Sequence, residues 1–145
     1  MINNTQVVVR LLAAALLGGM IGIERESHNR RIAGLRTHIL VSVGSALIML
    51  VSIYIFEAYM GKAPVDPARI AAGVVTGIGF LGAGTIIRSG ESIKGLTTAA
   101  SLWAVSGIGL SVGCGFYIAG WTAAVIVLIT LYLLKKIPIE DKTEV

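Results

Sequence analysis

The long apolar runs of this sequence carry no charge at their centres, and none of its eight acidic residues lies in mid-run. Magnesium binds oxygen ligands, commonly carboxylates, and gives up its water reluctantly. A mid-membrane magnesium site within one chain is therefore poorly supported. A proton relay normally uses ionisable groups inside the membrane, which leaves hydroxyls such as Ser42, Ser45, Thr76 and Ser106 for any polar path. With one cysteine, Cys114, the chain forms no internal disulfide, and no Cys-x-x-Cys or His-Cys spacing offers a zinc site. Cys114 reads as a small packing residue. The paired carboxylates and Ser-His-Asp sets of hydrolytic enzymes are also missing, so the sequence points away from an enzyme. No cofactor is expected, and the identity of any metal stays open.

What is present is apolar sequence: 55% of 145 residues are hydrophobic, 14% are charged and the mean hydropathy is +0.84, against roughly 25% charged in soluble domains. The charges gather into short segments between runs long enough to cross a bilayer. The runs predict five transmembrane helices near Val7–Ile23, Ile39–Phe56, Ile70–Ile87, Thr98–Gly113 and Phe116–Leu134. No basic residue precedes Arg10, and no small-residue cleavage site follows the first run, so that run reads as a retained helix. The expected architecture is an all-α integral membrane protein, with a transmembrane domain over 1–137 and a short cytoplasmic tail over 138–145.

Orientation follows from the basic residues. Arg25, Arg30, Arg31, Arg36, Arg88, Lys94, Lys135, Lys136 and Lys142 fall on one side and Arg10, Lys62 and Arg69 on the other, nine against three. The positive-inside bias puts the N-terminus outside and the C-terminus in the cytoplasm. This use of the charges also argues against nucleic acid as a partner. On the outer side, Asp66 before Pro67 has the form of a helix N-cap. Asp66 and Arg69 are nonetheless the candidate outer-face site.

The stretch GIGFLGAG at 77–84 has the letters of a dinucleotide-binding turn, but no strand precedes it and no helix opens after Gly79. The glycines read as helix-packing residues instead. At helical spacing Gly73, Gly77 and Gly84 share one face, with Gly79 and Gly82 nearly opposite, so the third span is expected at the centre of the bundle. Gly18 and Gly22 thin the first span in the same way. Small residues mark helix interfaces in membranes, and two glycine-striped helices make a homodimer reasonable.

LGGMIGIER ending at Arg25 resembles FLGAGTIIR ending at Arg88, and each is followed by Gly-Leu, GLRT at 34–37 and GLTT at 95–98. This weak repeat predicts two parallel hairpins related about the membrane normal. It also gathers a candidate cytoplasmic functional cluster: Glu24, Arg25, Glu26, Arg36, Thr37, His38, Arg88, Thr97 and Thr98. Glu24, at the bilayer edge, is expected to pair with Arg25, Arg36 or His38.

With these residues in view the chain resembles the membrane domain of the MgtC/SapB/YhiD family, through GGMIGIERE at 18–26, AGLRTHILVSVGSAL at 33–47, DPARIAAGVVTGIGFLGAGTIIR at 66–88 and GLTTAASLWAVSGIGLSVGCGFY at 95–117. The resemblance implies a bacterial inner-membrane protein that acts as a regulatory factor in adaptation to low magnesium, acid or the host interior. One branch of the family is held to restrain the F-type ATP synthase. Beside the lipid bilayer, another membrane protein such as that synthase is the implied partner. The chain stops soon after its last span, whereas many members continue into a soluble domain, so the expectation is a membrane-domain-only member. Thr97 stands where the virulence-associated branch can carry Asn, which places the chain nearer the SapB and YhiD side. The alternative reading is a transporter or channel for magnesium or another ion.

Overall fold

The computed structural model describes residues 2–26, 33–90 and 92–133. The tail 138–145, Arg30, Arg31, Glu91 and the lysines after Leu133 lie outside them. Five helices follow one another: α1 (Asn4–Glu26), α2 (Leu35–Tyr59), α3 (Pro67–Thr85), α4 (Leu96–Gly113) and α5 (Tyr117–Leu133). The first four are long and apolar enough to cross a membrane. At 1.5 Å per residue the 23 residues of α1 reach about 35 Å, beyond the ~30 Å hydrocarbon core. The 17 described residues of α5 sit at the short end of the spanning range.

The third span ends two residues before the expected Ile87. Ile86 leaves the helix at φ −89°, ψ 115°, and the chain forms a small antiparallel hairpin of β1 (Ile87–Ser89) and β2 (Ser92–Lys94), with Ile87 opposite Lys94. Two successive β-branched residues favour extended backbone, and hydropathy alone does not separate that from helix. Gly95 then opens α4 at φ 92°, with its Cα against the Thr85 carbonyl where a side chain has no room. This is where α4 turns back beside the end of α3.

At the other end of α3 the expected cap is present. Asp66 Oδ1 accepts from the Ala68 N–H at 2.8 Å, and Pro67 takes the first helical position. Ser52 on α2 donates to the Pro67 carbonyl, tying the two helices together there. Asp66→Ala is expected to lower stability by about 1 kcal/mol, measured by denaturant unfolding in detergent, with activity readouts unchanged.

The centre of the bundle is α4, not α3. Half of α4's spanning window is buried, against 17% of α3's, and α4 packs on all four other helices. Glycines on two faces of α3 permit close approach from both sides, but inside one chain only Gly82 is used, with Ala99 3.5 Å from the position of an added Cβ. At Gly73, Gly77, Gly79 and Gly84 an added Cβ would have no neighbour within 4 Å among the described residues beyond the helix's own backbone. By contrast Gly18 and Gly22 let α1 lie directly on α2. A Cβ on Gly18 would be 2.7 Å from Ser42 Cβ, and one on Gly22 would be 2.7 Å from Leu35 Cα.

The helix pairs that touch are those that an exchange of the two hairpins would preserve. α2 and α4 lie side by side, α1 touches both of them from one side, and α3 touches both from the other. Exchanging the hairpins α1–α2 and α3–α4 leaves this pattern unchanged. α5 has no counterpart and rests on α4 and α1. There Leu17, Ile21, Val105, Ile108, Val112 and Ala124 form the main apolar core.

Candidate functional site

α2 is apolar around most of its circumference but carries His38, Ser42, Ser45 and Ser52 at spacings of four, three and seven, which puts them on one helical face. All four are buried. His38, Ser42 and Ser45 meet α4, where Thr98 and Ser101 are also buried, while Ser52 is turned to the start of α3. The result is a polar seam between two helices that are otherwise hydrocarbon.

The seam is most elaborate where α1 ends and α2 and α4 begin. Arg25, only 3% exposed, donates through Nη2 to Thr98 Oγ1 at 2.7 Å. His38, 0% exposed, bridges the other two helices: Nδ1 bonds the Gly34 carbonyl at 2.8 Å and Nε2 lies 3.0 Å from Ser101 Oγ. A carbonyl only accepts, so Nδ1 carries a hydrogen. Ser101 Oγ donates to the Thr98 carbonyl at 2.9 Å. In that orientation it accepts from Nε2, and both ring nitrogens are donors. Turning the hydroxyl toward Nε2 lets a neutral ring keep both contacts. The geometry thus accommodates His38 with either one or two ring protons.

Glu26, at the last residue of α1, accepts from the Leu35 N–H at 2.9 Å through Oε2. It satisfies one of the free donors at the start of α2, as a cap supplied from the preceding helix. Of the residues in the sequence cluster, the structure brings Arg25, His38 and Thr98 together, with Glu26 capping α2 next to them and Glu24 partly buried on α1. Arg36, Arg88 and Thr97 are exposed, and Thr37 is half-buried. Arg88 lies on β1, where its Nε donates to the Gly90 carbonyl at 3.2 Å. The repeat thus predicts equivalent positions for Arg25 and Arg88, but only Arg25 is inside.

Several residues at this seam fall outside the sequence cluster. Ser101 reads in the sequence only as a small packing residue, because a serine in an apolar helix looks the same whether it thins a face or bonds a neighbour. The signal that could have found it is its place three residues after Thr98, one turn along the same face. Gly109 and Gly113 close the rest of the seam. Gly109 sits against the Ser42 carbonyl with Ser45 Cβ 2.9 Å from an added Cβ, and Gly113 meets the Ala46 carbonyl at 2.7 Å in the same sense. Ser42 Oγ is buried there without a hydrogen-bond partner among the described residues.

At the opposite end of the molecule, Arg10 Nη1 donates to the Gly113 carbonyl at 2.9 Å, anchoring α1 to the α4–α5 turn. Cys114 in that turn is exposed, not packed, since the turn carries it past the end of the core. Asp66 and Arg69 are exposed too, and Asp66 is engaged as the helix cap. Among the described residues no three His, Cys, Asp or Glu side chains gather where they could hold a metal ion.

Comparison with known proteins adds relatives to this geometry. The chain is 46% identical over 129 residues to the protein MgtC of Salmonella typhimurium, covering 89% of this chain and 52% of that protein. It is 45% identical over 130 residues to a protein of Escherichia coli K12 named "Putative magnesium transporter YhiD", with coverages of 88% and 60%. The protein SapB of Bacillus subtilis is 39% identical over 135 residues, with coverages of 90% and 57%. The chain thus spans between half and three-fifths of the length of these relatives. No solved structure matches it. The segments that build the α1–α2–α4 junction and the glycine-lined α3 all lie within residues 11–138, which match the MgtC family over their whole extent, and the chain belongs to that family.

Proposed function

We propose that this protein is a non-enzymatic regulatory protein of the bacterial inner membrane, acting in adaptation to low magnesium or acid stress through helix contacts with other membrane proteins. The observation that carries this reading is the contrast between its two kinds of polar and small residues. The buried polar groups join α1, α2 and α4 to one another, as structural ties do. The small residues of α3, by contrast, face outward with open space around them, and thin faces are what membrane helices use to associate. The F-type ATP synthase is a candidate partner through the family resemblance. Cross-linking in native membranes followed by purification is expected to recover a specific membrane protein above a tag-only control. Recovery of lipid and background alone would count against the regulatory reading.

A second reading, transport of magnesium or another ion, is favoured by the hydroxyl-bearing seam and by the unpartnered Ser42 Oγ within it. Gly109 and Gly113 close that seam by backbone contact, so conduction would require α2 and α4 to separate. Purified protein in liposomes with an internal magnesium indicator is expected to give no influx above empty liposomes. Saturable influx that is lost in Ser42→Ala, which removes the unpartnered hydroxyl without adding bulk, would replace the regulatory reading with transport.

A further inference from the structure

The exchangeable contacts of the two hairpins make one place on this molecule conspicuous. α5 lies along the edge formed by α1 and α4. Exchanging the two hairpins carries that edge onto the one formed by α3 and α2. Among the described residues no helix rests there. The edge is instead an open groove of about 640 Å³, lined by α2 residues from Leu40 to Ile48 and α3 residues from Ile70 to Leu81.

The two edges also match in how a helix can approach them. On the occupied edge α5 comes close through Gly120, whose added Cβ would be 2.7 Å from Val112 Cγ2. On the open edge the glycines belong to the groove itself. Gly44 of α2 and Gly73 and Gly77 of α3 line it, and none has an atom within 4 Å of where a Cβ would stand. Ser45, the polar side chain of the lining, already donates to the Val41 carbonyl at 2.8 Å. A charged or strongly polar occupant would therefore find nothing to bond, and an apolar helix fits.

We infer that the groove between α2 and α3 is the interface of a homodimer, in which α3 of a second copy takes the place that α5 takes on the other edge. The inference goes beyond the regulatory reading and does not require it. The second copy is favoured because α3 supplies both halves of the contact. Gly73-Val-Val-Thr-Gly77 is a Gly-x-x-x-Gly face in an apolar helix, a form that associates with itself by close backbone approach. A two-fold interface requires a patch complementary to its own copy. Two α3 helices crossing at these glycines provide it, each flanked by the apolar wall of the other's α2. α3 is also the least buried of the four long spans, so the dimer covers the helix that the single chain leaves most exposed.

The test is the dimer fraction in liposomes across a range of protein-to-lipid ratios, read by single-molecule photobleaching of labelled protein. Gly77→Leu fills space that is empty in the single chain, so the protomer is expected to fold as before, while dimerisation weakens by about tenfold or more. Gly107→Leu, equally open but on α4 away from the groove, is expected to leave the dimer intact. If Gly77→Leu fails to fold, disulfide cross-linking of Ile70→Cys in a Cys114→Ser background, with the groove otherwise native, gives the answer. Cross-linking at Ile70 and not at Ile126 of α5 supports the proposal. A monomer at every ratio, or a dimer that cross-links through Ile126 and ignores Gly77→Leu, overturns it and leaves the groove to lipid or to another protein. The dimer takes the Gly73–Gly77 face of α3 and leaves the Gly79 face, which is also open, for another membrane protein; loss of the dimer with recovery of a specific partner, or the reverse, therefore separates the two readings.

Discussion

Gly109→Leu is expected to leave no stably folded protein, while Gly107→Leu, two residues away on the same helix, folds like the parent. The difference lies in what each side chain would meet. At Gly107 there is nothing within 4 Å, whereas at Gly109 the obstacle is the α2 backbone at Ser42 together with Ser45 Cβ. Overpacking of a core usually costs about 1–3 kcal/mol because side chains can rotate aside. A backbone cannot, so the cost at Gly109 is placed above about 3 kcal/mol, a large part of the roughly 5–15 kcal/mol that holds a typical domain together. Gly113→Leu, against the Ala46 carbonyl, is expected to behave like Gly109→Leu. Monodispersity by fluorescence size-exclusion and thermal unfolding in detergent would decide. A well-folded Gly109→Leu protein would mean that α2 and α4 are not in backbone contact.

The second large effect is expected at Arg25. Of the arginines near the α1–α2–α4 junction, Arg25 is buried and bonded to Thr98, whereas Arg36 and Arg88 are exposed. A hydrogen bond to a charged group contributes about 1.5–3 kcal/mol, and removing one partner leaves the other unsatisfied. A double-mutant cycle of Arg25→Met and Thr98→Val should return a coupling energy in that range, about 1.5–3 kcal/mol. Arg36→Met and Arg88→Met should each stay within about 0.5 kcal/mol of the parent. Reversible unfolding in bicelles supplies the free energies. A coupling near zero would mean that the Arg25–Thr98 bond does not persist in the bilayer, and an equal loss at Arg88 would mean that the two halves are alike in chemistry as well as in packing.

That asymmetry marks how far the sequence could be read. The spans were legible because crossing hydrocarbon demands long apolar runs, and the hairpin repeat was legible because it kept Gly-Leu at the start of α2 and α4. Burial was not. Arg25 and Arg88 occupy like positions in the repeat, yet α1 continues as helix through Arg25 and carries it inward beside Thr98, while α3 unwinds at Ile86 and leaves Arg88 on an exposed strand. The choice of α3 as the central helix failed for a related reason. A glycine tells that a face can be approached closely, and it does not tell whether the approaching helix belongs to the same chain. His38 and Thr98 were identified because polar groups at helix starts stand out. Ser101, one turn deeper, did not stand out, although it is the residue that connects His38 to the rest of the junction.

Arg10 and the Gly113 carbonyl, 103 positions apart, meet only after α1 to α4 have been made. Synthesis delivers α1 before the α4–α5 turn, so during biogenesis the guanidinium precedes its acceptor by the time taken to add 103 residues. A cation in the outer part of a lone helix is held toward the interface until it can be satisfied. Final seating of α1 is thereby coupled to arrival of the α4–α5 turn. In a nascent chain arrested before Gly113, α1 should be inserted yet not in its native position, and completion of the turn should act as a late checkpoint on the assembly of the whole bundle.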